Sequence, residues 1–235
     1  MARLTLSRPG VVLHGESVGS GPPAVLLHAG GESRSVWDPV AAALEDAGCS
    51  SVAFDLRGHG DSAEVPADRL DHVAADVPGM VDAARSAPVL VGASLGGPAA
   101  ILALADRDLE RRTAGLVLVD VVPDPPPART RAWLTRNAGS LADVAIVDDI
   151  LARGPQLRSI AAGLELPVLM VRGGRSPLGD ADFDRFAELV PRGKVAWIPE
   201  AGHLVARDAP IPLARIVAAF LGDRRVRRRR GDDLR

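Results

Sequence analysis

Pro88-Val89-Leu90-Val91-Gly92-Ala93-Ser94-Leu95-Gly96-Gly97-Pro98 is the stretch around which the rest of the chain is organised. Pro88 opens an apolar run, Val89 to Val91, that is too short for a helix and has the composition of a buried strand. An Ala-rich helical pattern follows from about Leu95 to Ala105. Ser94 stands at the junction, between Gly92 and Gly96. A serine on so tight a strand-to-helix turn has its hydroxyl forced outward, and the glycines remove side chains that would collide where the chain reverses. The helix start adds unpaired N–H groups that favour developing negative charge. The pattern reads as a nucleophile elbow.

Working outward, the same type of short apolar run recurs. Leu4 to Leu6 and Val11 to Glu16 read as a hairpin around Arg8-Pro9-Gly10, and Ala24 to Leu27 is the next strand, ending at His28-Ala29-Gly30-Gly31. Val52 to Phe54, Leu116 to Val122 (interrupted at Asp120), Val168 to Val171 and Val195 to Ile198 complete the set. Helical stripes lie between them: Trp37, Val40, Ala41 and Leu44; then Val73, Val77, Met80 and Val81, where Pro78 should bend or restart the helix; then Phe183, Phe186 and Val190; and last Leu213, Ile216, Val217 and Phe220. Such βα alternation predicts a largely parallel sheet covered on both faces.

From Ala128 to Leu164 the spacing changes. Trp133, Leu134, Leu141, Ile146, Ile150, Leu157 and Ile160 suggest two or three short helices forming a small lid over the strand ends. The expected organisation is one domain over 1–222, with a lid insertion at about 123–166 and an Arg-rich tail, 223–235, read as solvated and disordered.

At 235 residues the chain can build one large core, and with 47% apolar but only 3% aromatic residues that core must be chiefly Leu, Val and Ala. A formal net charge of -2 gives no field that would attract nucleic acid, and the arginines of the tail have no interleaved aromatics for base stacking. Cys49 is the sole cysteine and reads as a small buried hydrophobe. The N-terminal residues lack the apolar core of a signal peptide and no stretch approaches a membrane span, so a cytoplasmic protein is expected. The dispersed histidines propose no metal site.

A serine is a weak nucleophile until a base takes its proton. Of His14, His28, His59, His72 and His203, the last is best placed, in a Gly-containing loop directly after the final strand. An imidazole in that role needs a carboxylate on its far nitrogen. Asp120, at a strand end, is the attractive candidate, and Asp180 and Asp182 are rivals from a neighbouring loop; each satisfies the chain order Ser, Asp, His. The oxyanion of acyl transfer needs two N–H donors, which Leu95 and the Ala29-Gly30-Gly31 turn can supply, Gly30 being the choice within the turn. His28, Arg57 and His59 read as structural groups of their turns.

Together these features resemble the α/β-hydrolase superfamily, in particular its small-lid, carboxylesterase-like serine hydrolases. The resemblance rests on His28-Ala29-Gly30-Gly31, Asp55-Leu56-Arg57-Gly58-His59-Gly60-Asp61-Ser62, Gly92-Ala93-Ser94-Leu95-Gly96 and Gly202-His203, four motifs in the right order at strand ends. It implies the α/β-hydrolase fold, an eight-stranded mostly parallel sheet, and cofactor-free hydrolysis through an acyl-enzyme. The short lid suggests small or medium apolar esters, lactones or thioesters as substrates. Two departures stand out. Ala29 replaces the usual glycine, and Pro177 follows Arg175-Ser176 where relatives often carry the acid. Some members place the acid after the sixth strand instead, which favours Asp120. The alternatives are a non-catalytic ligand-binding protein of the same fold and a carbon-carbon bond hydrolase or cyclase using the same site. A small-molecule substrate is the partner implied; the sequence does not specify an oligomeric state.

Overall fold

The short apolar runs become β1 (Ala2–Arg8), β2 (Val11–Gly19), β3 (Pro23–Leu27), β4 (Ser50–Phe54), β5 (Val89–Ala93), β6 (Gly115–Val119), β7 (Val168–Gly173) and β8 (Lys194–Ile198). The computed structural model describes residues 1–65, 68–137, 144–190 and 192–231. Within them the strands form one eight-stranded sheet of order β1-β2-β4-β3-β5-β6-β7-β8. β1 and β2 are the expected hairpin and β2 lies antiparallel to β4, whereas the pairings from β4 through β8 are parallel. This is the α/β-hydrolase architecture that the motifs imply.

The central strands are buried on both faces, so their composition shows no polar alternation, but their side chains still alternate between two cores. Val25, Leu27, Leu90, Leu116, Leu118 and Met170 enter one; Ala24, Leu26, Val89, Val91, Val117, Val119 and Leu169 enter the other. The first core is covered by α2 (Leu70–Asp82), α3 (Gly96–Ala103), α7 (Gly154–Ala162) and α8 (Asp180–Leu189), the second by α1 (Asp38–Asp46), α9 (Val205–Asp208) and α10 (Pro210–Leu221). Trp37, Leu44, Val77 and Met80, read as core from their helical spacing, are wholly buried. Each such side chain stabilises the fold by about 1.5–3 kcal/mol.

Strand order places the site. The chain steps from β3 to β4 on one side, then crosses back to β5 on the other, so β3 and β5 are neighbours at the point where the winding reverses. Loops leaving adjacent parallel strands in opposite directions open a crevice at their carboxyl ends. The loop after β3 carries Gly30 and the turn after β5 carries Ser94.

Several local readings differ. β6 stops at Val119, because Asp120 adopts a left-handed conformation (φ 52°) and leaves the strand. Pro78 does not interrupt α2, which continues to Asp82. A short helix, α4 (Arg107–Arg111), was not apparent from spacing. The region 123–166 contains α5 (Pro127–Asn137), α6 (Val144–Ala152) and α7, as expected in number, but Leu157 and Ala161 of α7 are buried in the first core, so α7 belongs to the body as much as to a lid. Leu141 of the proposed pattern lies outside the described residues.

The tail also differs from a solvated end. Arg224–Arg230 form α11, and Val226, the one apolar residue in the run, is wholly buried in the second core. Arg229 Nη2 and Nε donate to the Glu110 and Thr113 carbonyls at 2.7 and 3.1 Å. A guanidinium there satisfies carbonyls at the end of α4, where the helix dipole is negative. Residues 232–235 of the tail lie outside the described residues. No helix among the described residues is long and apolar enough to cross a membrane.

Candidate active site

Ser94 follows β5 with φ at 44°, a left-handed backbone that a non-glycine residue adopts at a cost of order 1 kcal/mol. The neighbouring glycines explain how the turn can be so tight. A Cβ on Gly92 would lie 2.5 Å from the Gly96 carbonyl oxygen, and one on Gly96 would lie 2.7 Å from the Leu27 carbonyl carbon. Any side chain at either position would push α3 away from β3 and β5. Ser94 is half-buried and lines a deep cavity, while Leu95 behind it is 4% exposed.

Asp120 shares the left-handed conformation; these are the two non-glycine residues with positive φ among the described residues. Ala93 and Val119 are register partners in β5 and β6, so Ser94 and Asp120 leave adjacent strands at the same level. The turn aims the Asp120 carboxylate along the strand ends rather than across the sheet. Its Oδ1 accepts from Gly173 N–H at 2.9 Å, and its Oδ2 accepts from Ser176 Oγ–H at 2.7 Å and from His203 Nδ1–H at 2.9 Å. The carboxylate is fully buried, so these charge-assisted bonds replace its lost hydration.

His203 sits in the loop between β8 and α9. That loop is pinned by Gly202 N–H donating to Asp208 Oδ2 at 2.8 Å and Arg175 N–H donating to the Ala201 carbonyl at 2.9 Å. A carboxylate accepts only, so the His203 Nδ1 carries the proton and Nε2 is left as the acceptor. The Trp133 ring of α5 stands edge-on to the imidazole, centroids 4.6 Å apart. The rivals have other partners. Asp180 is exposed and pairs with Arg172, while Asp182 caps α8 through Gly179 N–H and pairs with Arg129 and Arg185.

Across the cavity, a Cβ placed on Gly30 would come within 3.9 Å of the Leu95 side chain, so the two turns that carry the candidate oxyanion donors face each other closely. The loop is held from behind by His28, which is wholly buried: Nδ1 bonds the Ala29 carbonyl at 2.8 Å and Nε2 accepts from Leu56 N–H at 2.9 Å. Burial lowers its pKa to about 4, so the ring is neutral at pH 7. Arg57 is likewise internal, its guanidinium forked onto the buried Asp76 at 2.8 and 3.0 Å. His59 Nδ1 lies 3.0 Å from the Arg57 carbonyl, with its ring edge-on to His28, though it also lines the cavity.

The cavity encloses about 630 Å³, within the range of small-molecule sites. Ser94, His203, Gly30 and Asp120 line its floor; Trp133, Leu134, Ile146, Val147, Ile150 and Leu151 of α5 and α6 form an apolar roof. Three lining groups escape a sequence reading. Glu32, whose carboxyl burial raises above the usual range, accepts from Ala29 N–H at 3.4 Å. Arg129 and Arg207 also reach the wall. Only the position of Glu32 beside the glycine turn was a usable signal. Among the described residues no three His, Cys, Asp or Glu side chains gather into a metal site.

A strand-end crevice of this order, with a serine elbow at its switch point, defines a class of fold, and comparison agrees. A family profile described as the Alpha/beta hydrolase family matches residues 24–216, and the chain belongs to that family. It is 29% identical over 268 residues to an esterase of Mycobacterium tuberculosis, covering 88% of this chain and 85% of that protein. A shorter stretch is 37% identical to mouse protein phosphatase methylesterase 1, covering 46% of this chain and 29% of the relative. Among solved structures, a thermophilic esterase from Thermogutta terrifontis superposes with a TM-score of 0.76 at 22% identity, covering 94% of this chain and 98% of that one.

Proposed function

We propose that the protein is a serine hydrolase cleaving small to medium apolar esters, or the related lactones and thioesters, through an acyl-enzyme. The observation that carries this reading is the 2.9 Å hydrogen bond that His203 Nδ1–H donates to Asp120 Oδ2 in the same cavity as the elbow serine. His203 Nε2 takes the Ser94 proton as Oγ attacks the carbonyl carbon, and Asp120 stabilises the imidazolium. The N–H groups of Gly30 and Leu95 hold the oxyanion. Collapse expels the alcohol, which takes the proton from His203, and water then attacks the acyl carbon with His203 again as base.

The apolar roof and the volume of the cavity support an acyl group of medium length. The carboxylate on His203 also fills the role that the absence of Asp at position 177 had left open. This bond supports an enzyme over a purely ligand-binding protein of the same fold. Relatives named esterases support the ester as the bond cleaved. The test is fluorophosphonate labelling and turnover of aryl esters of increasing chain length. Ser94→Ala is expected to lose both labelling and turnover while keeping its melting transition; full residual turnover would reject the assignment.

A further inference from the structure

We propose that Ser176 is a positioning residue that tunes His203 through Asp120, whose Oδ2 it shares with the imidazole. The inference rests on the reading of Asp120 and His203 given under Proposed function. Ser176 Oγ lies 2.7 Å from Asp120 Oδ2, the same oxygen that receives His203 Nδ1–H. A hydroxyl has one hydrogen, and the direction of this one is fixed from two sides. Asp120 can only accept, and Ser176 Oγ itself accepts Leu178 N–H at 3.0 Å. Pro177 between them has no N–H of its own and a fixed φ, which holds Ser176 and Leu178 in this arrangement.

Two consequences follow. With Gly173 N–H on Oδ1 and Ser176 O–H on Oδ2, the carboxylate cannot rotate about its Cβ–Cγ bond without breaking a bond inside a fully buried site, so Oδ2 stays facing the imidazole. The positive end of the Ser176 O–H dipole also lies against the oxygen nearest His203. It offsets part of the negative potential that favours the imidazolium, and so helps keep His203 in the neutral form a base requires. Ser176 is absent from the cavity wall, although Pro177 and Leu178 are on it, so its removal should spare substrate binding.

The experiment compares wild type, Ser176→Ala, Ser176→Cys and Ser176→Thr by two readouts: the pH profile of kcat and KM on a short aryl ester, and an NMR pH titration of the His203 ring that needs no turnover. Removing the donor is expected to move the acid limb of kcat, and the NMR titration of the His203 ring with it, to higher pH than in wild type. It should also lower kcat three- to tenfold at unchanged KM. Ser176→Cys, a weaker donor of similar shape, should shift the same way by less and covers the case in which Ser176→Ala does not fold. Ser176→Thr should follow wild type. A His203 titration in Ser176→Ala or Ser176→Cys that superimposes on wild type overturns the proposal, even where kcat falls along with stability. If no ester is turned over by wild type yet the titration shifts, the hydrolase reading fails and the coupling stands.

Discussion

Asp120→Asn isolates the charge and tautomer control behind His203 with almost no change of shape. Gly173 N–H must keep an acceptor, which fixes the amide oxygen in the Oδ1 place and puts the NH₂ where Oδ2 now meets Ser176 and His203. That NH₂ donates, so His203 Nδ1 must accept, and the ring proton moves to Nε2. The imidazole then presents a hydrogen to Ser94 where a lone pair is required, and the developing imidazolium loses its counter-charge. The equivalent exchange in a serine protease triad lowers kcat about 10⁴-fold, which corresponds to about 5 kcal/mol of transition-state stabilisation. A loss of roughly 10³- to 10⁴-fold is expected here on the same grounds. The assay is the initial rate of p-nitrophenyl butyrate hydrolysis near neutral pH, with circular dichroism to verify folding. Asp180→Asn, whose carboxylate is exposed on Arg172, should stay within about twofold of wild type. Retention of more than a tenth of wild-type kcat by folded Asp120→Asn would refute the reasoning.

Two predictions concern the scaffold. His28 is neutral in the fold with its pKa lowered to about 4 by burial, against 6.5 when exposed, so it is the unfolded chain that binds its proton first as pH falls. Its contribution is therefore intact above about pH 6.5 and drains away between there and pH 4, by about 3 kcal/mol in all. Urea melts of wild type and His28→Gln across that window should converge toward pH 4, and parallel curves would contradict this. Arg57→Met leaves the Asp76 carboxylate buried, with Arg8 Nε 3.8 Å away as its remaining cation. A loss of about 3–5 kcal/mol in stability is expected. The kcat/KM of the folded fraction should be unchanged, and the opposite result, normal melting with reduced kcat/KM, would assign Arg57 to the substrate instead.

The fold was legible because the strands are short β-rich runs bounded by Gly and Pro, and their alternation with helical stripes leaves few arrangements of a parallel sheet. Gly92 and Gly96 mark the elbow by the close approach they permit, and Gly202-His203 marks its loop by following the last strand. What spacing alone did not carry was direction. Asp120, Asp180 and Asp182 all sit at suitable places along the chain, and only the left-handed turn at Asp120 decides which carboxylate lies along the strand ends. Trp133 reads as one more apolar residue of a helix, because its contact with His203 depends on how the lid settles. Val226 was hidden among arginines: composition scores such a run as solvated, whereas a single seat in the core and two carbonyl acceptors are enough to dock it.

Because β6 and β7 are neighbours, the segment that leaves β7 meets Asp120 at the end of β6, on the carboxylate oxygen that faces the imidazole. In this chain the carboxylate comes from Asp120, while the segment after β7 supplies a hydroxyl and a proline. On the mechanism proposed above, a search that looks for an acid only after the seventh strand would miss the carboxylate that bonds His203 in this chain. What such a search would have to recognise here is a pair, Asp120 at the end of β6 and Ser176 two residues after the Gly173-Gly174 that closes β7.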